Sequence, residues 1–134
     1  MILEKDRLER LLFRNYEVGS IVLPQGCTQR IMGLIGKGSV EVFCKTQEGE
    51  ETVFGVLTKG DTFGTYSLFY DVPRPTGIRV RDRARIALLN SRDFIRYSHH
   101  NPTMTFNVLT AASRRINNIN RDLCKGGRVS PIEW

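Results

Sequence analysis

The chain can be placed from one stretch: Gly60-Asp61-Thr62-Phe63-Gly64-Thr65-Tyr66-Ser67-Leu68-Phe69-Tyr70-Asp71-Val72-Pro73-Arg74-Pro75-Thr76-Gly77-Ile78-Arg79-Val80. It starts as a Gly-Asp turn and continues through a helix-capable piece, Tyr66 to Tyr70. It then passes through Pro73-Arg74-Pro75-Thr76-Gly77 into an apolar and basic alternation. A turn, one helical turn, an arginine between prolines and a strand form a cradle suited to phosphate. Gly64 lets backbone amides approach an anion closely, and the helix start that follows aims further N–H groups the same way. Arg74 can add a bidentate, charge-assisted contact to two phosphate oxygens. The bland alternative is a surface arginine paired with Asp71 or Asp61.

On the N-terminal side, short apolar runs alternate with glycine turns. Ile21-Val22-Leu23 reads as a strand and Pro24-Gln25-Gly26 as a turn. Gln29 to Ile35 is a second strand, interrupted by Gly36-Lys37-Gly38 as a bulge or bend would interrupt it. Ser39 to Lys45 alternates with Val40 and Val42 on one face. Thr46 to Glu51 is a polar hairpin loop, and Thr52 to Leu57 returns as a strand. On the C-terminal side, Gly77 to Val80 and Arg85 to Leu89 are two more strands, with Arg81-Asp82-Arg83 as a tight exposed turn between them. This rhythm predicts an antiparallel sandwich or barrel.

Helices flank the strands. Ile2 to Arg14 is amphipathic, with Leu8, Leu11 and Leu12 recurring beside Glu4, Lys5, Arg7 and Arg10; Asn15 to Gly19 ends it. Ser91 is a natural N-cap for a helix whose buried side is Phe94, Ile95 and Tyr97. Asn101-Pro102 breaks and restarts the helix, since proline fits a first helical position. Thr103 to Leu123 is one long helix. Met104, Phe106 and Val108 are expected to pack on the barrel. Leu109, Ala112, Ile116, Ile119 and Leu123 step by three, four, three and four, a heptad seam. The seam predicts a self-complementary dimer, with Asn117, Asn118 and Asn120 setting register. Gly126-Gly127 stops the helix, and 128–134 is a short tail.

A length of 134 residues suggests one domain with one core. The hydrophobic share of 40% and charged share of 25% are those of a soluble globular protein. No apolar run approaches a membrane span, and the N-terminus lacks a secretory apolar core, so a cytoplasmic location is expected. Cys27, Cys44 and Cys124 form no C-x-x-C pair, which argues against tetrahedral zinc or iron–sulfur sites and for free thiols. The net charge of 20 − 14 = +6 favours anionic partners.

From about Tyr16 to Leu123 the chain resembles the cyclic-nucleotide-binding domain of catabolite activator proteins and protein kinase A regulatory subunits. The resemblance is carried by Gly19 to Gly26, Gly38 to Phe43, Gly49-Glu50-Glu51 with Val56-Leu57, Gly60 to Gly64, and Pro73-Arg74. Arg74 follows Gly64 by ten residues, a kinase-type cassette spacing. It implies a mainly β fold, an eight-stranded antiparallel jelly roll with an N-terminal helix and a long C-terminal helix. The parts would be an N-terminal helix at 1–15, a β-roll at 16–90 with its cassette at 60–77, C-terminal helices at 91–124 with a dimer helix at 103–124, and a tail at 125–134. Arg74 would bind the cyclic phosphate of a ligand such as cAMP, helped by amides around Gly64 to Tyr66 and of Thr76. Thus Gly64, Thr65, Tyr66, Arg74 and Thr76 are the expected ligand-binding residues.

Two positions depart from the family pattern. Thr65 stands where a glutamate usually accepts from the ribose 2′-hydroxyl, and losing that charge assistance is worth ~1–2 kcal/mol. Pro75 follows the cassette arginine and has no N–H to give a phosphate. The chain is also expected to lack the helix-turn-helix DNA reader that the family's transcription factors carry.

The expected function is a regulatory ligand-sensing module that signals through its dimer helix, without catalysis, metal or resident cofactor. The alternative is a degenerate module acting by dimerisation and protein contact. An enzyme reading is disfavoured because His99 and His100 are adjacent on a helix end and point apart. Arg79, Arg81, Arg83 and Arg85 could form a basic strip on one strand face, enough for weak, salt-sensitive nucleic-acid contact.

Overall fold

The computed structural model describes residues 4–69 and 73–124. The elements run in the order α1 (Glu4–Leu12), β1 (Phe13–Tyr16), β2 (Ile21–Leu23), β3 (Met32–Lys45), β4 (Glu51–Thr58), β5 (Thr62–Phe63), a 3₁₀ turn (Thr65–Leu68), β6 (Gly77–Leu89), α2 (Ser91–His100) and α3 (Pro102–Cys124). All described strand pairs are antiparallel. The sheet order is β1-β6-β3-β4, with β2 also on β6 and β5 also on β3.

Strands β3 and β6 are the spine, paired from Met32↔Leu89 to Phe43↔Gly77. Their ladder shifts register between Ile35 and Lys37, Lys37 and Ser39, and Ser39 and Val40. The Gly36-Lys37-Gly38 interruption is therefore a bulged bend inside one strand, because the ladder resumes on both sides of it. Gly38 has φ 80, and a Cβ there would meet the Arg83 carbonyl oxygen at 2.1 Å. Arg81-Asp82-Arg83 likewise lies within β6 and is not the expected turn. Asp82 is held across the bend, its Oδ2 accepting from buried Ser39 Oγ at 2.6 Å. The described strands number six, where the resemblance implied eight; Gly36-Lys37-Gly38 and Arg81-Asp82-Arg83 each lie inside one long strand rather than between two.

The bend lets opposite faces of the spine serve two apolar clusters. Leu23, Ile35, Val40, Val42, Phe63, Ile78, Val80 and Ile86 fill the first. Met32, Leu68, Ala87, Leu89, Tyr97, Met104 and Val108 form the second, between the spine and the helices. Each fully buried large side chain here stabilises the fold by about 1.5–3 kcal/mol.

The expected N-terminal helix is shorter than predicted. Phe13–Tyr16 leaves it to pair with Ala84–Ala87 of β6. A helix through Arg14 would lose that pairing and lift Phe13 from Gly36, whose added Cβ would meet the Phe13 ring at 2.9 Å. At α2 the cap is Asn90, whose side chain accepts from the Asp93 N–H at 2.8 Å; Ser91 instead donates to the Leu68 carbonyl at 3.4 Å. Ile95 is exposed and Tyr97 is buried. In α3, Met104 and Val108 are buried as expected, but Phe106 is 69% exposed. Residues four apart share a helix face, whereas a residue two along does not. The Gly126-Gly127 stop and the tail lie outside the described residues.

Candidate functional site

Strand β5 delivers the chain to Gly64, which has φ 70 and buries itself against Arg74. That left-handed conformation suits glycine, and it starts the 3₁₀ turn Thr65–Leu68. The other side of the site is the link between β2 and β3. Arg74 N–H donates to the Cys27 carbonyl at 3.0 Å, and Gly26 N–H donates to the Arg74 carbonyl at 2.8 Å. This backbone clamp needs no N–H from Pro75.

The Arg74 residue is only 4% exposed. Its Nη2 donates to Ser67 Oγ at 2.8 Å and to the Ile31 carbonyl, with the Gln29 carbonyl at 3.5 Å. Ser67 Oγ in turn lies 2.6 Å from the Ile31 carbonyl and 2.7 Å from the Gly64 carbonyl. Arg74 Nε is buried without a hydrogen-bond partner among the described residues. Among the described residues no ion pair reaches Arg74, whereas Arg79 pairs with Glu41 and Glu51 and Arg83 with Glu17. Asp61 Oδ2 instead accepts from the Thr58 N–H at 2.9 Å, and Asp71 lies outside the described residues. Arg74 is therefore not a surface arginine and is not paired with Asp61.

Of the expected site residues, Gly64 and Arg74 are in direct contact. Thr65 and Tyr66 are half-buried at the start of the 3₁₀ turn, and Thr76 is buried beside the start of β6. Sequence reasoning missed Ser67 and the carbonyls of Ile31 and Gln29. Ser67 carried a weak signal at most, one hydroxyl among the three of Thr65-Tyr66-Ser67. Backbone carbonyls carry none.

The arginine strip on β6 is divided among other tasks. Arg79 bridges Glu41 at 2.5 Å and Glu51, and lies over the Phe43 ring at 4.4 Å. Its hydrogen bonds to Glu51 and Glu41 raise its pKa, and the bond from Arg79 holds the Glu51 carboxyl below its ordinary range. Arg83 pairs with Glu17 at 3.3 Å, and Arg85 stacks on Phe13 at 5.4 Å. The hairpin tip is tied to the site by Gln25, which donates to the Lys45 carbonyl at 3.2 Å and accepts from the Lys45 N–H at 2.7 Å.

Residues 13–101 match the family model of the cyclic nucleotide-binding domain. The chain belongs to that family. The cyclic nucleotide-binding domain described here is 35% identical over 81 residues to a cAMP-dependent protein kinase regulatory subunit of Blastocladiella emersonii, covering 60% of this chain and 20% of that protein. It is 28% identical over 102 residues to the cAMP-activated global transcriptional regulator CRP of Salmonella typhimurium, covering 75% of this chain and 49% of CRP. The chain therefore spans half or less of the length of these relatives. The catabolite activator protein of Thermus thermophilus shares the fold, with a TM-score of 0.70 at 22% identity, over 92% of this chain and 59% of that one.

In this cyclic nucleotide-binding domain the cassette abuts the long helix. A cavity of about 200 Å³ separates Thr65, Leu68 and Phe69 from Val108, Leu109 and Ala112. The Leu68 carbonyl, at the end of the 3₁₀ turn, accepts from Arg30 Nη2 at 3.3 Å and from Ser91 Oγ at 3.4 Å. Movement of the turn would thus be felt at α2. Among the described residues no helix is long and apolar enough to cross a membrane, and no three His, Cys, Asp or Glu side chains gather as metal ligands.

Proposed function

We propose that this domain is a regulatory sensor that binds a cyclic nucleotide or another phosphorylated anion at Arg74 and signals through α3. The observation that carries the reading is a buried guanidinium whose Nε has no partner and which no carboxylate neutralises among the described residues. An isolated buried charge is costly, so an anion entering beside Nε gains both a hydrogen bond and charge compensation. Gly64, Thr65, Tyr66 and Thr76 would line that anion, with amides of the 3₁₀ turn as donors. The names of the relatives, a cAMP-dependent kinase subunit and a cAMP-activated regulator, make cAMP the first ligand to test.

The output we assign to α3 is that of a homodimer. Leu109 and Ile116 are 62% and 57% exposed on the seam face, more than an isolated amphipathic helix needs to show. We also read each bent half of β3 and β6 as a separate strand of an eight-stranded jelly roll, and 1–134 as one domain working in the cytoplasm. Isothermal titration of cAMP into the wild type and Arg74→Ala tests the reading. Binding that disappears in the variant supports it; no binding by the wild type of cAMP, cGMP or inorganic phosphate at millimolar concentration removes it.

A second reading has its own support. Arg74 Nη2 is already taken by Ser67 and Ile31, and Pro75 offers no N–H. On this view the pocket is degenerate and the domain works by dimerisation and protein contact. Arg74→Ala would then leave partner binding unchanged.

A further inference from the structure

We infer that Ser67 is a built-in competitor for the ligand: its hydroxyl occupies the edge of Arg74 that an anion would use, so affinity is set by displacing it. The inference rests on the reading of Arg74 as the anion-binding group, and it adds the regulation of that site.

A guanidinium binds a phosphate or carboxylate side-on through Nε–H and the adjacent Nη2–H. On Arg74 these two donors are treated in opposite ways. Nε has no partner among the described residues, whereas the two N–H groups of Nη2 face Ser67 Oγ at 2.8 Å, the Ile31 carbonyl, and the Gln29 carbonyl at 3.5 Å. Half of the binding edge is spent and half is unused. The side chain cannot simply turn away, because Nη1 is packed where a Cβ of residue 64 would lie.

Of the groups on Nη2, Ser67 is the one that can yield. Its Oγ lies within hydrogen-bond distance of the Ile31 and Gly64 carbonyls, so the hydroxyl keeps an acceptor for its proton when an anion takes its place on Arg74. The Ile31 and Gln29 carbonyls are backbone and move only with the chain. The exchange replaces a neutral acceptor with a charged one. The guanidinium is charged in both cases, but an anion adds the attraction of opposite charges in a buried, low-dielectric place, so an anion displaces Ser67 and an uncharged nucleoside does not. Ser67 also closes the 3₁₀ turn through its N–H to the Gly64 carbonyl at 3.1 Å. Its bond to Arg74 is the tie that ligand binding cuts, on the segment whose Leu68 carbonyl accepts from Ser91 at the start of α2.

The test is titration of cAMP, with adenosine as the uncharged control, into the full chain and into Ser67→Ala. Removing a competing bond to a neutral hydroxyl is expected to tighten cAMP binding about three- to ten-fold, with adenosine still not bound. In the ligand-free proteins, nitrogen-15 NMR of Arg74 reads the contact directly: rotation of its Nη2 group speeds up in the variant. Ser67→Cys, with a weaker acceptor of similar shape, is expected to fall between the two and serves if the alanine protein does not fold. Equal or weaker cAMP binding by the variants, while the wild type binds, overturns the competitor and leaves Arg74 as the anion site. No binding of cAMP, cGMP or inorganic phosphate by any of them overturns the functional reading and the inference with it.

Discussion

Gly64 and Arg74 interlock: a Cβ at residue 64 would lie 2.1 Å from Arg74 Nη1, in a backbone conformation with φ 70. The two residues are ten apart in sequence and define one feature, a glycine whose missing side chain is the space the guanidinium occupies. Gly64→Ala must strain the turn and push Arg74 out of its carbonyl nest. The expected result is a loss of about 1–3 kcal/mol of stability together with weakened anion binding, read by thermal melts and by cAMP titration.

Arg74→Ala removes the donor to Ser67 Oγ and the Ile31 carbonyl and leaves a void among buried groups. Unfolding in urea should show a destabilisation of roughly 1–3 kcal/mol. A variant with wild-type stability would mean that the guanidinium is not seated as described.

The Arg79–Glu51 contact predicts an acid-sensitive increment of stability. Arg79 holds the Glu51 carboxyl below its ordinary value of 4.5, so the ionised form is favoured in the folded protein. The increment is fully present above the ordinary value. It is lost as pH falls through the lower folded value. The melting temperature of wild type minus that of Glu51→Gln should be positive at pH 7 and shrink toward zero at strongly acidic pH. The same difference should narrow in high salt, because the pair is solvent-accessible. A difference that grows on acidification contradicts the assignment.

The exposed seam of α3 predicts concentration-dependent association. Leu109→Asp and Ile116→Asp alter exposed positions and should leave the melting temperature of the monomer nearly unchanged. Sedimentation should shift each variant from dimer to monomer. Val108, one residue from Leu109 but 9% exposed, provides the contrast: Val108→Ala should destabilise the fold by about 1–3 kcal/mol.

Much of the architecture was legible because its signals are local. Glycines at Gly19, Gly26, Gly49 and Gly60 adopt positive φ at turns, and the alternation around them marked β structure. Asn101-Pro102 separated α2 from α3, and the apolar spacing of α3 foretold a long helix. The errors fell where local and long-range preferences conflict. Phe13–Tyr16 continues a helical pattern but gains more by pairing with Ala84–Ala87. Gly36 and Gly38 look like strand ends but bend a strand whose partner continues across the gap.

The candidate site divides along the same line. From residue types and spacing alone came a mainly β domain, a glycine ahead of a lone arginine, and a helix with a surplus apolar stripe. These follow from backbone conformation and side-chain periodicity, which act over a few residues. Whether Arg74 faced water or the interior depended on the carbonyls of Cys27 and Ile31, more than forty residues upstream, and on the hydroxyl of Ser67. Those groups meet the arginine only after β3 and β6 have paired. The burial of its charge is therefore a property of the folded chain, because carbonyl acceptors are present at every residue and only the fold selects which of them converge.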